Sequence, residues 1–65
     1  MSPSDLIRDY RMEKAARLLR NEELSIQEVI SEVGISSRAY FYKEFTRRFG
    51  MTPKTYREHL QKLEE

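Results

Sequence analysis

Residues 25–57 read SIQEVISEVGISSRAYFYKEFTRRFGMTPKTYR, and this stretch decides the fold. Ser25 stands three residues before Glu28, so the hydroxyl and the carboxylate can each accept a free backbone amide at the start of a helix. The apolar residues that follow recur at helical spacing and are Ile26, Val29, Ile30 and Val33. The pattern predicts a short helix that begins directly after Ser25.

A tight turn follows this helix. Gly34 can adopt the positive φ that ends a helix abruptly, and Ser36 or Ser37 can cap the next helix. That second helix is expected over residues 38–49. Because two helices joined by so short a turn cross steeply, residues 25–49 are predicted to form a helix-turn-helix.

The second helix has two different faces. Phe41, Phe45 and Phe49 recur every four residues and predict a face that packs on the core. The opposite face carries cations with small or hydroxylated neighbours, namely Ala39, Tyr40, Lys43, Thr46 and Arg47. Such a face suits the DNA major groove, where cations reach guanine acceptors and hydroxyls reach phosphates. A solvated charged face is the alternative, but the glycine turn and the caps favour the groove.

Charge is distributed unevenly along the chain. Twelve basic and eleven acidic side chains give a net charge of +1. Residues 36–57 nevertheless contain six basic side chains against Glu44 alone, and the segments on both sides are net acidic. Positive potential therefore concentrates on the predicted helix-turn-helix, as expected of a nucleic-acid-binding surface.

Two further helices complete a predicted all-α fold. Ser2 and Pro3 form a helix start, and a long linker helix is predicted over residues 3–20. A short C-terminal helix is predicted over residues 53–63, with Tyr56 in the core. The stripe by which the long helix is expected to pack on the core consists of Met12, Ala15, Ala16 and Leu19.

An ordered set of short motifs extends across most of the chain. It comprises Arg11-Met12, Ala15, Leu18-Leu19, Ser25-Ile26, Glu28-Val29, Val33-Gly34-Ile35, Tyr40-Phe41, Phe45, Phe49-Gly50, Thr52-Pro53 and Tyr56-Arg57. The set resembles the C-terminal half of an AraC/XylS-type DNA-binding domain over about residues 2–58. The resemblance makes residues 1–65 a partial domain of this type, and implies sequence-specific binding of double-stranded DNA by a bacterial transcription regulator.

The resemblance also assigns site residues. The positions it assigns to base edges are Arg38, Ala39, Tyr42 and Lys43. Helical geometry independently supports Ala39 and Lys43. The residues expected at the DNA backbone are Ile26, Tyr40, Thr46, Arg47, Lys54 and Arg57. Ile26 and Lys54 are included because the amides at a helix start can hold a phosphate, and Arg57 stands beside the second of these starts.

The chain also departs from the family pattern. The family usually has a small Ala where this chain has Ile30, so packing at the crossing of the two helices must be looser or compensated. Further differences, which change the expected base preference but not the docking mode, lie at Ile35, Ser37, Ala39, Tyr42 and Lys43.

A short internal repeat predicts a missing partner. Met1-Ser2-Pro3-x-x-Leu6 recurs fifty residues later as Met51-Thr52-Pro53-x-x-Tyr56. If each copy starts the helix that follows a helix-turn-helix, a first helix-turn-helix precedes this segment in a longer parent protein. Apolar side chains that this unit would cover are then expected to be exposed, among Leu6, Ile7, Tyr10 and Leu18.

The other domains of the parent protein are expected to allow a homodimer. The opening SPSDLIRDYR also resembles the output domains of hybrid two-component regulators.

Enzymatic chemistry is not indicated. His59 is the only histidine and cysteine is absent, so neither a structural zinc site nor a Cys–His pair is available. Gly34 and Gly50 are the only glycines, which excludes a glycine-rich phosphate loop. We expect no enzymatic activity, no cofactor and no metal. The sequence has no apolar run long enough to span a bilayer, so we expect no membrane contact by this segment and a cytoplasmic location.

Two other functions stay open at this point. The chain could be a helical protein-interaction or dimerisation module with little base reading of its own, because Tyr and Arg side chains make good interaction hot spots. It could also serve as a structural support while the missing first unit reads most of the bases. Steep salt dependence is expected of a DNA-binding domain but not of a contact built on aromatic burial.

Overall fold

The computed structural model describes residues 3–64 and confirms the all-helical fold. The helices are α1 Pro3–Leu18, α2 Ile26–Glu32, α3 Arg38–Phe49 and α4 Pro53–Glu64. Helices α2 and α3 pack on α1 and on each other, while α4 packs on α3. Ser2, predicted to cap the first helix, lies outside the described residues.

Two helix ends differ from the prediction. Helix α1 ends at Leu18 and not at Arg20. The chain tightens there, because the amides of Arg20 and Asn21 donate to carbonyls three residues back, at 3.2 and 3.0 Å. Helix α4 continues to Glu64, one residue beyond the predicted end.

The predicted reciprocal cap forms at the start of α2. The amide of Glu28 donates to Ser25 Oγ at 3.0 Å, and the amide of Ser25 donates to Glu28 Oε1 at 3.0 Å. The backbone amides of Ser25 and Glu28, which would otherwise need water as a partner, are therefore both satisfied within the chain. This explains why so short a helix begins at a defined residue.

The turn after α2 forms around Gly34, as predicted. Its φ is 76°, in the left-handed region that favours glycine. The amide of Gly34 donates to the carbonyl of Ser31 at 3.0 Å, and the amide of Ile35 donates to the carbonyl of Ile30 at 3.2 Å. This pair of bonds is the Schellman arrangement, and it brings Ile35 back toward the helix that it follows.

One core holds the four helices together. Its buried apolar members within residues 3–64 are Met12, Ala15, Ala16, Leu19, Val29, Ile30, Val33, Ile35, Phe41 and Phe45. The predicted stripe of α1 is therefore confirmed. Ile30, at the position where the family usually has alanine, is only 1% exposed, so the larger side chain is accommodated inside the core.

A row of aromatic rings joins α3 to α4. Phe41 and Phe45 are fully buried, and their ring centres are 5.7 Å apart. Phe49 continues the row at 4.5 Å from Phe45, and Tyr56 of α4 meets Phe45 edge-on at 5.4 Å. Such ring pairs contribute about 0.5–1.5 kcal/mol beyond the area they bury. Tyr56, which was predicted to lie in the core, is partly buried and packs against it.

Candidate nucleic-acid interface

The side of α3 opposite the phenylalanine row is exposed. We call it the outer face of α3, and it consists of Ala39, Tyr40, Lys43, Thr46 and Arg47, all five of which are exposed. Lys43 and Arg47 form no side-chain hydrogen bond or ion pair within residues 3–64. Tyr40 stands at one edge, where it lines a shallow groove together with Ile7 of α1. Two unpaired cations thus project from a helix whose other side is fixed in the core.

A side-chain cluster holds Arg38 at the start of α3. Ser37 is the cap of this helix, because its Oγ accepts the amide of Tyr40 at 3.1 Å. The Arg38 guanidinium donates to the Tyr42 hydroxyl at 3.1 Å and to Gln27 Oε1 at 3.4 Å, and its Cζ lies 5.1 Å from the centre of the Tyr42 ring. The structure therefore brings together two of the predicted base-contacting residues. It also adds Gln27, which the sequence analysis did not identify.

Arg48 belongs to an ion-pair cluster between α1 and α3. It pairs with Asp9 at 3.4 Å and with Glu13, and the hydrogen bond to Glu13 raises the pKa of its guanidinium. In the same cluster Arg8 Nε lies 3.9 Å from Glu44 Oε2. Glu44 is the one buried charged residue within the part of the chain that the structure describes. Because acidic groups of α1 neutralise Arg48, the available positive charge of α3 rests on its outer face and on Arg38.

The two basic residues near the start of α4 have different surroundings. Lys54 is exposed in the first turn, as a phosphate contact requires. Arg57 instead donates from Nε to the carbonyl of Leu19 at 3.0 Å and from Nη2 to the carbonyl of Asn21 at 3.4 Å. These carbonyl partners near the end of α1 were not predictable from the sequence, and the contact of Arg57 with the DNA backbone stays a prediction.

The start of α2 carries its own negative charge. The carboxylate of Glu28 accepts the amide of Ser25, and this backbone hydrogen bond, followed by the one with the Ser25 side chain, lowers the pKa of Glu28. The ionised carboxylate already complements the positive end of the helix dipole. It would therefore weaken the attraction of a phosphate to the neighbouring amide of Ile26.

Arg11 is a second residue that the sequence analysis did not place in a site. Its Nη1 donates to the carbonyl of Gly34 at 3.0 Å, so that a side chain of α1 holds the turn between α2 and α3. The Arg11 guanidinium carbon lies 3.9 Å from the position that a Cβ on Gly34 would occupy. The signal in the sequence is the place of Arg11 beside buried Met12, on a helix predicted to pack against the turn.

Comparison with known proteins identifies the family. A helix-turn-helix domain family matches residues 1–59 of the chain. The HTH-type transcriptional regulator ExsA of Pseudomonas aeruginosa is 40% identical to it over 58 residues, which is 89% of the chain. The chain belongs to the AraC-type helix-turn-helix family. This membership confirms sequence-specific DNA binding in a transcription regulator as the function of the AraC-type domain.

The other relatives place the AraC-type domain in proteins of different kinds. The virulence regulon transcriptional activator VirF of Shigella flexneri is 41% identical over 51 residues, or 78% of the chain. Histidine kinase P4 of Formosa agariphila is 34% identical over 55 residues, or 85% of the chain. The chain spans 21% of the length of ExsA, 20% of VirF and 4% of the kinase.

Two further comparisons give negative results. No solved structure matches the chain significantly. Among the helices of residues 3–64, none is both long enough and apolar enough to cross a membrane.

Proposed function

We propose that α3 of this AraC-type domain enters the major groove of double-stranded DNA and reads base edges with Arg38, Ala39, Tyr42 and Lys43. The outer face of α3 carries the proposal, because its cations lack partners within residues 3–64 while the opposite side of the helix is buried. From this face an ammonium at Lys43 can reach the O6 and N7 acceptors of guanine. The small side chain of Ala39 permits close approach and can contact a thymine methyl.

Arg38 and Tyr42 act as a unit in this proposal. The stacked and hydrogen-bonded guanidinium has fewer conformations to lose when it meets a base, which lowers the entropic cost of binding. Gln27 Oε1 accepts from the same guanidinium, so it supports the orientation of Arg38 from α2. The donors of Arg38 that remain can approach guanine in the groove.

Backbone contacts are proposed on both sides of α3. Tyr40, Thr46 and Arg47 flank the residues assigned to bases, and Lys54 stands at the start of α4. The amide of Ile26 is the least favoured of these contacts, because the charged carboxylate of Glu28 shares its helix end. Phosphate contacts of this kind fix the register of the helix without selecting sequence.

Salt dependence tests this function against the alternative of a protein-interaction or dimerisation module. The probe is a duplex recovered from a randomised pool by selection with this chain. If Arg47, Lys54 and one further group each neutralise a phosphate, the logarithm of the binding constant should fall against the logarithm of salt with a slope of about −3. A slope near zero, or failure to enrich any duplex, would contradict the proposal and favour the protein-interaction module.

We also propose that an upstream helix-turn-helix covers the first half of α1. Leu6, Ile7 and Tyr10 are 57%, 54% and 61% exposed, and Leu6 and Ile7 lie one helical turn before Tyr10 in α1. The chain accounts for about a fifth of the length of the regulators it resembles, which leaves room for such a unit. The test is whether substitution of these side chains costs more stability in a chain extended upstream than in the 65-residue chain.

The parent protein is proposed to be a cytoplasmic regulator that dimerises through its other domains. A single recognition helix reads only a few base pairs, so a second motif or a second subunit is needed for tight specific binding. The similarity to a histidine kinase supports an output domain of a two-component protein. The regulators among the relatives support a domain that binds DNA and catalyses nothing. Mass measurement of the parent protein in solution tests the dimer.

A further inference from the structure

Arg57 is the basic residue whose position in the structure differs most from what its sequence context suggests. It is half-buried, and its guanidinium donates to two backbone carbonyls beyond the last turn of α1, those of Leu19 and Asn21, at 3.0 and 3.4 Å. The last carbonyls of a helix lack partners within the helix and attract cations. Arg57 therefore satisfies the carbonyl of Leu19 and adds a second donor to the carbonyl of Asn21, which also accepts the amide of Leu24 at 3.1 Å.

The neighbour of Arg57 in sequence contacts a different helix. Tyr56 packs on Phe45 and Phe49 of α3, with ring centres 5.4 and 5.3 Å away. Successive residues of α4 thus contact α3 and the segment that directly follows α1. The two contacts therefore link the position of α3 to that of the segment that follows α1.

A second guanidinium acts at the turn within the helix-turn-helix. Arg11 of α1 donates to the carbonyl of Gly34 at 3.0 Å, in the turn that determines the angle between α2 and α3. One arginine points from α1 to the turn, and the other points from α4 to the end of α1. Two directional contacts of this kind constrain rotation of the helix-turn-helix against α1 more than either contact alone.

We infer that Arg57, together with Arg11, is a positioning residue for DNA reading and not a phosphate contact. The pair fixes the pose of α3 relative to α1, and α1 is the element that would connect this unit to a preceding one. The inference rests on the proposed docking of α3. The Nε–Nη2 edge of Arg57 is directed at carbonyls within the domain and the residue is half-buried, whereas Arg38 is exposed, so Arg57 is held toward the end of α1 and not toward DNA.

The test compares Arg57→Ala with Arg47→Ala on a mixed-sequence duplex and on the duplex recovered by selection. Loss of a phosphate contact lowers the steepness of the salt dependence by about 0.9, so Arg47→Ala should show this change and Arg57→Ala should not. Arg57→Ala and Arg11→Ala should instead reduce the preference for the selected duplex about tenfold or more, measured where circular dichroism shows the variants folded. If the folded Arg57→Ala variant still prefers the selected duplex as strongly as the unsubstituted chain does, Arg57 has a purely structural role and the inference is overturned. A less steep salt dependence of binding for Arg57→Ala would also overturn it.

A measurement on the unsubstituted chain remains decisive if Arg57→Ala does not fold. The Nε–H of Arg57 should give a nuclear magnetic resonance signal protected from solvent exchange in the absence of DNA, and the signal should stay in place when the mixed-sequence duplex is added. A signal that becomes protected only with DNA would overturn the inference. If neither Arg57→Ala nor Arg47→Ala changes the slope, the proposed docking is contradicted, and the Nε–H signal then decides the role of Arg57 independently.

Discussion

Lys43 occupies the middle of the outer face of α3, and its ammonium has no partner within residues 3–64. Replacement by alanine removes a donor to guanine but leaves the buried side of the helix unchanged. We expect Lys43→Ala to cost about 1–3 kcal/mol on the selected duplex and to relax the preference at one base pair. Fluorescence anisotropy with the selected duplex and its single-base variants measures both effects.

Arg47 provides the matched comparison one turn later on the same face. Because it is assigned to a phosphate, Arg47→Ala should weaken binding to all duplexes about equally and leave the base preference intact. Both variants remove one exposed cation from α3, so a difference between them reports base reading and not net charge. Equal losses on every duplex for both variants would remove the base-reading role assigned to Lys43.

For single residues, side-chain exposure was more predictable from the sequence than hydrogen-bond partners. The spacing of Phe41 and Phe45 was enough to place Lys43 and Arg47 on the opposite, exposed side. The partner of Arg57 was not predictable in this way, because it is a backbone carbonyl 38 residues earlier in the chain. Side-chain types and helical period carry no information on such a contact.

The reciprocal cap at the start of α2 makes the stability of the domain depend on pH. Hydrogen bonds from Ser25 lower the pKa of Glu28 below its ordinary value of 4.5. A carboxyl group with a lowered folded-state pKa stabilises the fold above its unfolded-state pKa, and this contribution disappears as pH falls through the folded value. We therefore expect Glu28→Gln to destabilise the domain at neutral pH. Its difference in free energy of unfolding from the unsubstituted chain should shrink below about pH 4.5.

Urea unfolding at several pH values, followed by circular dichroism, measures this difference. Glu32→Gln is the control, because Glu32 is an exposed carboxylate on the same helix for which the structure shows no cap contact. A stability gap for Glu28→Gln that persists unchanged at pH 3 would contradict the role of the ionised carboxylate.

Alanine substitutions at the two glycines allow the cost of backbone strain to be compared with the cost of steric crowding. Gly34 and Gly50 have φ values of 76° and 73°, and a Cβ at Gly34 would only touch Arg11 at 3.9 Å while one at Gly50 would meet nothing within 4 Å. Alanine in the left-handed region costs about 1–2 kcal/mol. We expect Gly34→Ala and Gly50→Ala to destabilise by similar amounts in urea unfolding. A loss for Gly34→Ala several times larger would show that Arg11 cannot accommodate the methyl group.

Helix ends were predicted best where hydrogen bonds between residues close in sequence determine them. The starts of α2 and α3 and the turn at Gly34 follow from short-range hydrogen bonds, and the structure places them as predicted. The end of α1 was predicted two residues too late, because the amides of Arg20 and Asn21 turn back to nearer carbonyls and no Gly or Pro in the sequence signals it. Long-range hydrogen bonds from Arg57 reinforce that early end.

The molecule as a whole has a small core and an uncovered end. A domain of this size buries only about 60% of the surface of its unfolded chain, so its stability is expected to be low. No cysteine is available to add a disulfide. The exposed Leu6, Ile7 and Tyr10 all belong to the first half of α1, and each is more than half exposed although Tyr40 of α3 lies beside Ile7. If the proposed upstream unit covers this end of α1, it buries additional apolar surface and stabilises the domain.

Leu6 and Leu63 allow this proposal to be tested with matched substitutions. Both leucines are exposed, at 57% and 70%, but only Leu6 lies on the surface that an upstream unit would cover. In the 65-residue chain, Leu6→Ser and Leu63→Ser should each change the free energy of unfolding by no more than about 0.5 kcal/mol. In a chain extended upstream, Leu6→Ser should cost about 2 kcal/mol because a leucine is then removed from a buried contact, and Leu63→Ser should remain near neutral. Equal, small effects of Leu6→Ser in both chains would show that the preceding residues leave this end of α1 uncovered.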